Sequence, residues 1–366
     1  MTRVRKSGGK RAATLADVGQ LAGVSAMAVS AVLNQARTSS RISPATRERI
    51  RRAAETLNYR PNIAARALAT RRMQTIGVAA VVEGVELNDY FLEVFKGVLA
   101  AASARGQNTT VFALHNWGSD AARLPKMCDG RIDGVILVAP IMEAGAMDLP
   151  SHTPFVSIHA NENLGGVPNI ESDEEQGAYE MVRHLASLGH RRIMHLAGPL
   201  GTTGRDRRIH GYKRGLAGAR VPFDRELLVT ADFTTATARD SLRHWLRGHA
   251  GHLLPQAIFA ANDNAAIGCM EVLAELGLRV PDDVSVAGFD DTLVARIAVP
   301  QLSSVRQPLR AIGAKAVEML LARIEHPASP AATKARARSI VFPVDLVLRA
   351  SVAMPPAVDR VVPTRR

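Results

Sequence analysis

The chain of 366 residues has few of the residues that build disulfide frameworks, metal sites or membrane spans. Its two cysteines, Cys128 and Cys269, are far apart, so neither a disulfide framework nor a cysteine metal site is indicated. No run approaches the roughly 20 apolar residues that span a bilayer, and no apolar export segment follows the basic N-terminus. We therefore expect a chain of the reducing cytoplasm with no membrane span, no metal and no cofactor.

Motifs of the common enzyme classes are also missing. The glycine-rich loop 198–204 follows an apolar strand, but it lacks the two glycines separated by one residue that a dinucleotide fingerprint needs. Neither a Walker-type Gly-Lys-Ser/Thr nor a Gly-x-Ser-x-Gly elbow occurs. His244, His249 and His252 have no carboxylate or cysteine at ligand spacing, and exposed helix-end histidines explain them better than a metal. We expect a binding protein and not an enzyme.

Positive charge is concentrated at the N-terminus. Residues 1–72 contain 15 Lys and Arg against 3 acidic residues, whereas the rest of the chain contains 31 of each sign, so the first fifth carries the whole net charge of +12. Such a segment is typical of proteins that bind a polyanion, because Lys and Arg that neutralise phosphates release condensed counterions and so favour binding. For the basic arm 1–13, which we expect to be flexible, a solvated tail and loose phosphate contact are equal alternatives.

The stretch 14–34 predicts two short capped helices joined by a tight turn. Thr14 and Asp17 have the spacing of a capping box. Gly23 lies where the first helix must end, and Ser25 can cap the second, whose apolar residues recur at helical spacing. This is the plan of a helix-turn-helix that reads DNA. The outward face that would enter a major groove consists of Ala26, Met27, Ser30 and Ala31.

A third helix and a short connector follow. Ser43 as N-cap and Pro44 at the first helical position begin a helix that runs to Leu57 and completes a small core. A proline then ends it. The segment 63–69 is Ala-rich but too short to be a stable helix alone, since nucleation costs more than so few hydrogen bonds return. We expect it to be coil when free and helical when docked.

From Thr75 onward, short apolar runs alternate with amphipathic helical stretches. This alternation predicts an α/β fold in which helices cover both faces of parallel sheets. The predicted strands are 76–82, 109–114, 134–138, 155–158, 168–170, 192–197, 257–260 and 284–289. The predicted helices are Tyr90 to Arg105 and those that follow Asp173, Asp206, Thr235, Asn262 and Arg310.

Polar residues cluster just after predicted strand ends, where open α/β sheets bind ligands. They are His159, Asp173, Asn262 with Asp263, and Asp290 with Asp291. For Asp173 and Asp263, capping of the next helix explains the residue equally well. Arg208 could offer a planar fork to ligand hydroxyls or to a carboxylate, although a surface arginine is common in so Arg-rich a chain. Together these residues predict a polar ligand site between two lobes.

Several motifs are shared with one family of regulators. In the headpiece they are Thr14-Leu15-x-Asp17-Val18, Ala22-Gly23-Val24-Ser25, Val29-Ser30, Ser43-x-x-Thr46-Arg47 and Asn58-Tyr59-x-Pro61-Asn62. In the body they include Arg208-x-x-Gly211-Tyr212, Ala261-Asn262-Asp263, Phe289-Asp290-Asp291 and Leu302-Ser303-Ser304-Val305-x-Gln307. From about Thr14 to Leu348 the chain thus resembles the lactose-repressor/galactose-repressor (LacI/GalR) family of bacterial transcription regulators.

The resemblance implies a domain plan. It places a DNA-binding headpiece at 14–61, a hinge helix and linker at 62–74, and a periplasmic-binding-protein-like body of two parallel-sheet α/β lobes at 75–348. Lobe 1 is about 75–172 plus 306–337 and lobe 2 about 173–305 plus 338–348, with chain crossings near Asp173, Val305 and Arg338. The proline-containing residues 349–366 lack a heptad pattern, so we expect a flexible tail and no tetramerising coiled coil.

The resemblance also implies site residues. DNA contacts would come from Thr14, Ser25, Ala26, Met27, Ser30, Ala31, Asn34, Tyr59, Asn62, Ala65 and Leu68. Leu68 would wedge into the minor groove and kink a central step. The effector site would use His159, Arg208, Phe233, Asn262 and Asp290, with Phe233 as an aromatic platform for a sugar or sugar acid.

The recognition helix departs from the family pattern, because Ala26, Met27 and Ala31 stand where polar or aromatic residues are common. We expect apolar contact of Ala26 and Met27 with thymine methyl groups, with mere space filling by Met27 as the alternative. The expected partners are a pseudo-palindromic operator, a second copy of the chain and a small-molecule effector that biases the hinge. A solute-binding protein without a DNA role is the alternative, and the headpiece argues against it.

Overall fold

The computed structural model describes residues 12–33, 42–60, 72–82, 89–141, 149–326 and 339–363. The chain divides into two compact units, Met1–Gln74 and Thr75–Arg366. Within the described ranges no single helix is long and apolar enough to cross a membrane; Leu15–Ala22 and Ala26–Leu33 meet that criterion only as a pair bent by 103°. The predicted hinge helix and most of the basic arm lie outside the described residues.

The described part of the first unit contains three short helices, and local capping explains where they begin. They are α1 (Leu15–Ala22), α2 (Ala26–Leu33) and α3 (Pro44–Thr56). The predicted capping box is confirmed, since the Asp17 amide donates to the Thr14 hydroxyl and the Thr14 amide donates to the Asp17 carboxylate. Gly23 ends α1 at a φ of 65°, a left-handed conformation that glycine adopts without strain. Ser25 and Ser43 accept from the backbone three residues on, as N-caps do.

Each of these helices contributes one fully buried side chain to a common core. Val18 of α1, Val29 of α2 and Ile50 of α3 are 0% exposed and belong to one cluster. Tyr59, which follows α3, packs against the edge of this cluster. The predicted three-helix core is therefore confirmed, and α2 presents its other face to solvent.

The second unit contains two six-stranded sheets and the helices that cover them. The strands are β1 (Thr75–Val81), β2 (Asn108–Leu114), β3 (Gly134–Val138), β4 (Phe155–Ile158), β5 (Asn169–Ser172), β6 (Ile193–Ala197), β7 (Leu228–Thr230), β8 (Ala257–Ala260), β9 (Ser285–Asp290), β10 (Ser303–Arg306), β11 (Ile340–Phe342) and β12 (Asp345–Val347). The helices are α4 (Asp89–Ser103), α5 (Trp117–Asp120), α6 (Leu124–Met127), α7 (Glu174–Ser187), α8 (Thr203–Gly218), α9 (Thr235–Gly248), α10 (Asp263–Glu275), α11 (Leu293–Ile297) and α12 (Leu309–Glu325).

The two sheets are the centres of two lobes. Sheet 1 has the order β11-β5-β4-β3-β1-β2, with every pair parallel, and is the sheet of lobe 1. Sheet 2, in lobe 2, has the order β12-β10-β9-β8-β6-β7 and is parallel except for the pair β10–β12. The central parallel strands, such as β3, β4 and β6, are buried on both faces, which explains why they appear in the sequence as apolar runs, whereas the edge strand β2 is largely exposed.

Alternate residues of each strand fill separate cores on the two faces of its sheet. In β1, Val78 and Ala80 pack with α4 and α12, whereas Ala79 packs on the other face with Trp117 and Leu124. In sheet 2, α9 and α10 cover one face and α7 and α8 cover the other. Lobe 1 and lobe 2 are thus both three-layer α/β sandwiches.

The chain passes three times between the lobes, and the third crossing lies later than expected. The first comes at Asp173, between β5 and α7, and the second between β10 and α12. Arg338 lies outside the described residues, but the chain beyond it is still in lobe 1, because β11 pairs in parallel with β5. The chain enters lobe 2 only between Phe342 and Asp345, where β12 begins to pair with β10. The predicted boundary at 338 is therefore corrected.

The predicted flexible tail is also corrected, because residues 349–363 pack along lobe 2. The Ser351 hydroxyl is fully buried; it donates to the Val286 carbonyl at 2.6 Å and accepts from the Ser303 amide at 2.8 Å. Near the end, Val362 is 1% exposed within the core of lobe 2, and Arg360 pairs with Asp283 at 2.8 Å. Prolines exclude a helix here, but an extended segment still buries apolar side chains and forms backbone hydrogen bonds.

The prediction from periodicity missed several short elements. The strands β7, β10, β11 and β12 have only three or four residues each, too few for an alternating pattern to stand out. The helix expected after Asp206 begins at Thr203 instead. The short helices α5, α6 and α11 were likewise not expected.

Close packing of α4 against α12 predicts the effect of a small substitution. A Cβ added at Gly97 would lie 2.1 Å from the carbonyl oxygen of Arg310. We expect Gly97→Ala to lower the free energy of unfolding by about 1–3 kcal/mol through overpacking. Gly248→Ala is the matched control, since its Cβ meets no atom within 4 Å and alanine favours a helix. Urea unfolding of both variants measures the difference, and equal stability of the two would contradict the packing argument.

Candidate functional site

A cavity of about 150 Å³ lies at the carboxyl ends of strands from both sheets. This is where open α/β sheets bind ligands, because the strands end there and the loops and helix N-termini meet. Its lining from lobe 1 and the first crossing is Tyr90, Ala139, Ile141, His159, Ala160, Asn161 and Glu174. Its lining from lobe 2 is Thr202, Thr203, Gly204, Arg207, Arg208, Phe233, Asn262 and Asp290. A ligand in this cavity contacts both lobes.

Three lining residues have a backbone conformation that L-residues rarely adopt. The φ angles are 47° at Ala139, 48° at His159 and 107° at Asp290. Each residue lies at the end of a strand or immediately after it. Such conformations cost on the order of 1–3 kcal/mol each, and they concentrate at functional sites, where they aim side chains that regular strands would not. Their presence in one cavity supports a binding role for it.

His159 is neutral and has a fixed orientation in the cavity wall. Its Nε2 accepts from the Ser172 amide at 3.0 Å, and Nδ1 lies 2.5 Å from the hydroxyl of Tyr90. Because Nε2 accepts, the ring proton is on Nδ1, which donates to Tyr90. Burial lowers the pKa of His159 to about 4, and Arg208 also lowers it although Glu174 opposes the shift. His159 therefore acts as an uncharged positioning group near neutral pH.

Glu174 and Arg208 form a buried ion pair in the cavity wall. Both residues are at most 6% exposed, and Arg208 Nη2 lies 2.6 Å from Glu174 Oε1. Nη1 donates to the Ala261 carbonyl, and the Phe289 ring centroid lies 4.4 Å from Cζ. Among the described residues, Arg208 Nε has no hydrogen-bond partner. The fork that we expected to meet a ligand is thus directed at protein groups in this structure.

Asp290 and Asn262 contribute polar groups from neighbouring strand ends of lobe 2. Asp290 Oδ1 accepts from Gln307 Nε2 at 2.6 Å, and burial raises the pKa of Asp290 to about 8 although Arg208 opposes the rise. Asn262 caps α10 by accepting from the Ala265 amide, while its Nδ2 donates to the Phe233 carbonyl at 2.9 Å. Asn262 therefore fixes both the start of α10 and the backbone of Phe233.

The acidic residues next to them have structural partners. Asp263 Oδ2 accepts from the amide and the hydroxyl of Thr292, at 2.7 and 2.9 Å. Asp291 is paired with Arg306 at 2.7 Å and with Arg349 at 2.6 Å. These bonds hold the loop after β9 against β10 and the C-terminal segment.

Asn161 joins the lobes directly at the edge of the cavity. Its Nδ2 donates to the Gly201 carbonyl, and its Oδ1 accepts from the Thr203 amide at 2.8 Å. The Thr203 hydroxyl also donates to the carbonyl oxygen of Asn161. Since Asn161 follows β4 and Thr203 begins α8, this contact resists separation of the lobes.

The structure places all five predicted effector residues in the cavity wall: His159, Arg208, Phe233, Asn262 and Asp290. Asp173 is not among the lining residues; it caps α7 by accepting from the Gln176 amide at 3.0 Å. Glu174, Asn161 and Tyr90 were not predicted. A glutamate beside a predicted helix cap resembles an ordinary first-turn acid in sequence, so only its contact with Arg208 reveals it.

In the headpiece, the face of α2 predicted to read DNA is only partly exposed. Ser25 and Ala26 are exposed, and Met27 is 81% exposed. Ser30 is half-buried, and Ala31 is only 8% exposed. The expectation that Ala31 points outward is corrected, because Ala31 belongs with Val29 and Val32 to the buried residues of α2.

The other predicted DNA-contacting residues are distributed as follows. Thr14 and Tyr59 are half-buried, the first in the capping box and the second against the headpiece core. Asn34, Asn62, Ala65 and Leu68 lie outside the described residues. The role of these residues in DNA binding stays a prediction.

The glycine-rich loop 198–204 and the histidines near Trp245 make structural contacts in the folded chain. The loop 198–204 forms part of the cavity edge and carries the Asn161 contact. His249 stacks on Trp245 with ring centroids 4.1 Å apart, and its Nδ1 donates to the Trp245 carbonyl. Within the described part of the chain, no group of three or more His, Cys, Asp or Glu is placed to hold a metal ion.

Comparison with known proteins agrees with this geometry. Residues 14–62 match the family of bacterial regulatory proteins, lacI family, and residues 182–352 match the periplasmic binding protein-like domain. The HTH-type transcriptional repressor PurR of Vibrio atlanticus (strain LGP32) is 31% identical over 319 residues, which cover 86% of this chain and 92% of that protein.

Two solved structures share the fold over nearly the whole chain. The Lac repressor dimer bound to operator and the anti-inducer ONPF has a TM-score of 0.79 at 28% identity, covering 94% of this chain and 100% of that one. The complex of the transcriptional regulator CelR with cellobiose has a TM-score of 0.67 at 29% identity, covering 93% and 99%.

The chain therefore belongs to the LacI family and is a DNA-binding transcriptional regulator with a helix-turn-helix headpiece and a periplasmic-binding-protein-like body. The predicted family and fold class are confirmed.

Buried histidines predict how the stability of this fold depends on pH. Burial lowers the pKa of His195 to about 4; its Nδ1 donates to the Phe259 carbonyl at 2.8 Å, and its ring stacks on Phe259. Below pH 6.5 the unfolded chain takes up a proton that the folded chain does not, so stability present above pH 6.5 falls as the pH drops toward 4. The loss is about 3 kcal/mol for each such histidine.

Urea unfolding between pH 7.5 and 5 measures this slope. His195→Asn keeps a donor for the Phe259 carbonyl and removes the titrating group, so we expect a shallower fall in unfolding free energy. His244→Asn, at an exposed position, should keep the parent slope. A His195→Asn slope as steep as that of the parent contradicts the assignment.

Proposed function

We propose that the chain binds a pseudo-palindromic operator as a homodimer, and that a carbohydrate bound in the cavity controls its affinity for that operator. The proposal depends chiefly on one observation, the convergence of His159, Arg208, Phe233, Asn262 and Asp290 in one cavity between the lobes. The Lac repressor dimer bound to operator and anti-inducer, and CelR bound to cellobiose, support it as family members of the same fold.

The chemistry of the cavity favours a small polyhydroxylated ligand. Hydroxyl groups need both donors and acceptors, and the cavity lining provides both kinds, among them the guanidinium group of Arg207 and the carboxyl group of Asp290. Phe233 is half-buried and supplies an apolar ring for the C–H face of a sugar. At about 150 Å³ the cavity is below the roughly 300–1,000 Å³ of pockets for drug-sized ligands. A small sugar therefore suits it better than a larger metabolite.

Control of DNA binding follows from the position of the cavity between the lobes. A ligand that contacts both lobes prefers the arrangement in which its contacts are best, and it shifts the population by its difference in affinity for the two arrangements. Asn161 and Thr203 join the lobes at the same edge, so ligand binding and lobe closure involve the same atoms. We expect the segment 63–69 to act as a hinge that transmits this change by shifting between helix and coil.

We also propose that the chain acts by binding and not by catalysis, and that it works in the cytoplasm at the nucleoid. The regulatory role of the relatives supports both statements.

Phe233 provides a test of the carbohydrate site. We expect Phe233→Leu to bind the best sugar from a thermal-shift screen about 3–10 times more weakly, because aromatic contacts contribute roughly 0.5–1.5 kcal/mol beyond area burial. Isothermal titration measures the affinity. Phe223→Leu is the matched control, since Phe223 is 44% exposed and is not a lining residue. Unchanged affinity in Phe233→Leu would place the sugar elsewhere.

Met27 provides a test of the DNA-reading helix. Because Met27 is 81% exposed on α2, we expect Met27→Gln to change the preferred operator base at one position of each half-site, from thymine toward adenine. A good bidentate pair discriminates by roughly 1–3 kcal/mol. Binding-site selection with both proteins measures this change, and Met354→Gln, at a methionine 74% exposed in the body, is the control. An unchanged consensus means that Met27 only fills space.

A further inference from the structure

Glu174 occupies the part of the cavity where an anionic ligand group would meet a cation. Among the described lining residues, Arg207 and Arg208 are those with a permanent positive charge. Arg208 Nη2 lies 2.6 Å from Glu174 Oε1. Arg207 Nη1 lies 2.9 Å from Glu171 Oε2 and 3.8 Å from Glu174 Oε2. Each guanidinium group therefore already has a carboxylate partner.

This cluster offers no surplus positive charge to a ligand. The two arginines and the two glutamates cancel, and His159 is neutral because its Nε2 accepts from a backbone amide. Ionisation of Asp290 would only make the cavity more negative. Burial by itself would raise the pKa of Glu174, but the charge and hydrogen bond of Arg208, together with the neighbouring His159 and Arg207, outweigh burial and hold that pKa below its ordinary value. Glu174 is therefore a carboxylate at neutral pH.

The first turn of α8 has room for this carboxylate. A Cβ added at Gly204 would lie 2.9 Å from Glu174 Oε1, which is closer than a side-chain carbon normally approaches. The helix N-terminus there carries a partial positive charge, which stabilises an anion further. The absence of a side chain at Gly204 thus leaves space that the Glu174 carboxylate fills.

We propose, on the basis of the carbohydrate site proposed above, that Glu174 makes the cavity select uncharged carbohydrates over sugar acids and sugar phosphates. Glu174 satisfies Arg208 as a ligand carboxylate would, but it is part of the chain and is always present. It is a specificity-determining residue, placed by the first crossing between the lobes.

The selection follows from the cost of unpaired buried charge. A sugar carboxylate that binds Arg208 must displace Glu174 and then lie beside the carboxylate that it displaced, which leaves one negative charge buried without a partner. A neutral sugar brings no charge into the cavity, so its hydroxyls can bind other polar lining groups while the Glu174–Arg208 pair stays intact. Glu174 can therefore weaken the binding of acids without having to contact a neutral ligand.

Glu174→Gln in the full chain is the direct test. Glutamine has the same shape and still accepts from Arg208, but it removes the charge. Glu175→Gln is the matched control, since Glu175 is the next residue and pairs with Arg214 outside the lining. The probes are three pairs: D-glucose and D-glucuronate, D-galactose and D-galacturonate, and cellobiose and cellobionate. Thermal shift and isothermal titration at pH 7.5 give the affinities.

We expect at least one acid to bind Glu174→Gln tenfold or more tightly than it binds the parent. Neutral sugars should gain no comparable affinity, so the ratio of acid to neutral affinity should rise in Glu174→Gln, and Glu175→Gln should behave like the parent. If circular dichroism shows that Glu174→Gln is unfolded, Glu174→Asn replaces it with the same expectations.

The proposal is overturned if the acids bind the parent as tightly as their neutral counterparts, or if they bind the Glu174 variant no better than the parent. Failure of the proposed carbohydrate effector has a different signature. In that case no neutral sugar stabilises the parent, whereas acids still gain affinity for Glu174→Gln.

Discussion

The cost of burying ionisable groups is the constraint on which the cavity depends. A buried charge without a partner is strongly destabilising, yet this cavity needs polar groups to bind a ligand. The charge of Glu174 is paired with that of Arg208. His159 stays neutral because its Nε2 accepts a hydrogen bond from the Ser172 amide and so cannot carry a proton. The loop after β9 is held in the same way, because the buried carboxylate of Asp291 pairs with Arg306 and Arg349. Charge pairing therefore determines how strand ends and helix starts meet here.

This pairing also lies where the lobes are connected. Glu174 follows the first crossing directly, and Gln307 lies in the second, where it donates to Asp290 at the end of β9. The hydrogen bonds of these residues thus lie beside the segments that connect the lobes. Asn161 adds a contact between lobes at the same edge. The cavity wall and the connections between the lobes therefore share residues.

Much of the architecture could be predicted because it depends on local patterns. The Thr14–Asp17 capping box, the left-handed Gly23 and the Ser43–Pro44 helix start all involve residues at most four apart. Buried parallel strands such as β3 appear as apolar runs, and polar residues after such runs pointed to the edge where the cavity lies. His159, Asn262 and Asp290 follow strand ends in this way, whereas Phe233 was predicted only from the family resemblance. The short strands β7 and β10 to β12 left no such pattern, since three or four residues cannot show a period.

Local chemistry along the chain thus decided the headpiece helices, the alternation of strands and helices, and the concentration of positive charge in the first fifth. The folded arrangement decided the third crossing after Phe342, the packing of Val362 into lobe 2, and the pairing of Glu174 with Arg208. The physical reason is distance along the chain. Caps and periodic faces form between near neighbours, whereas Glu174 and Arg208 are 34 residues apart, and their contact exists only once α7 and α8 pack together.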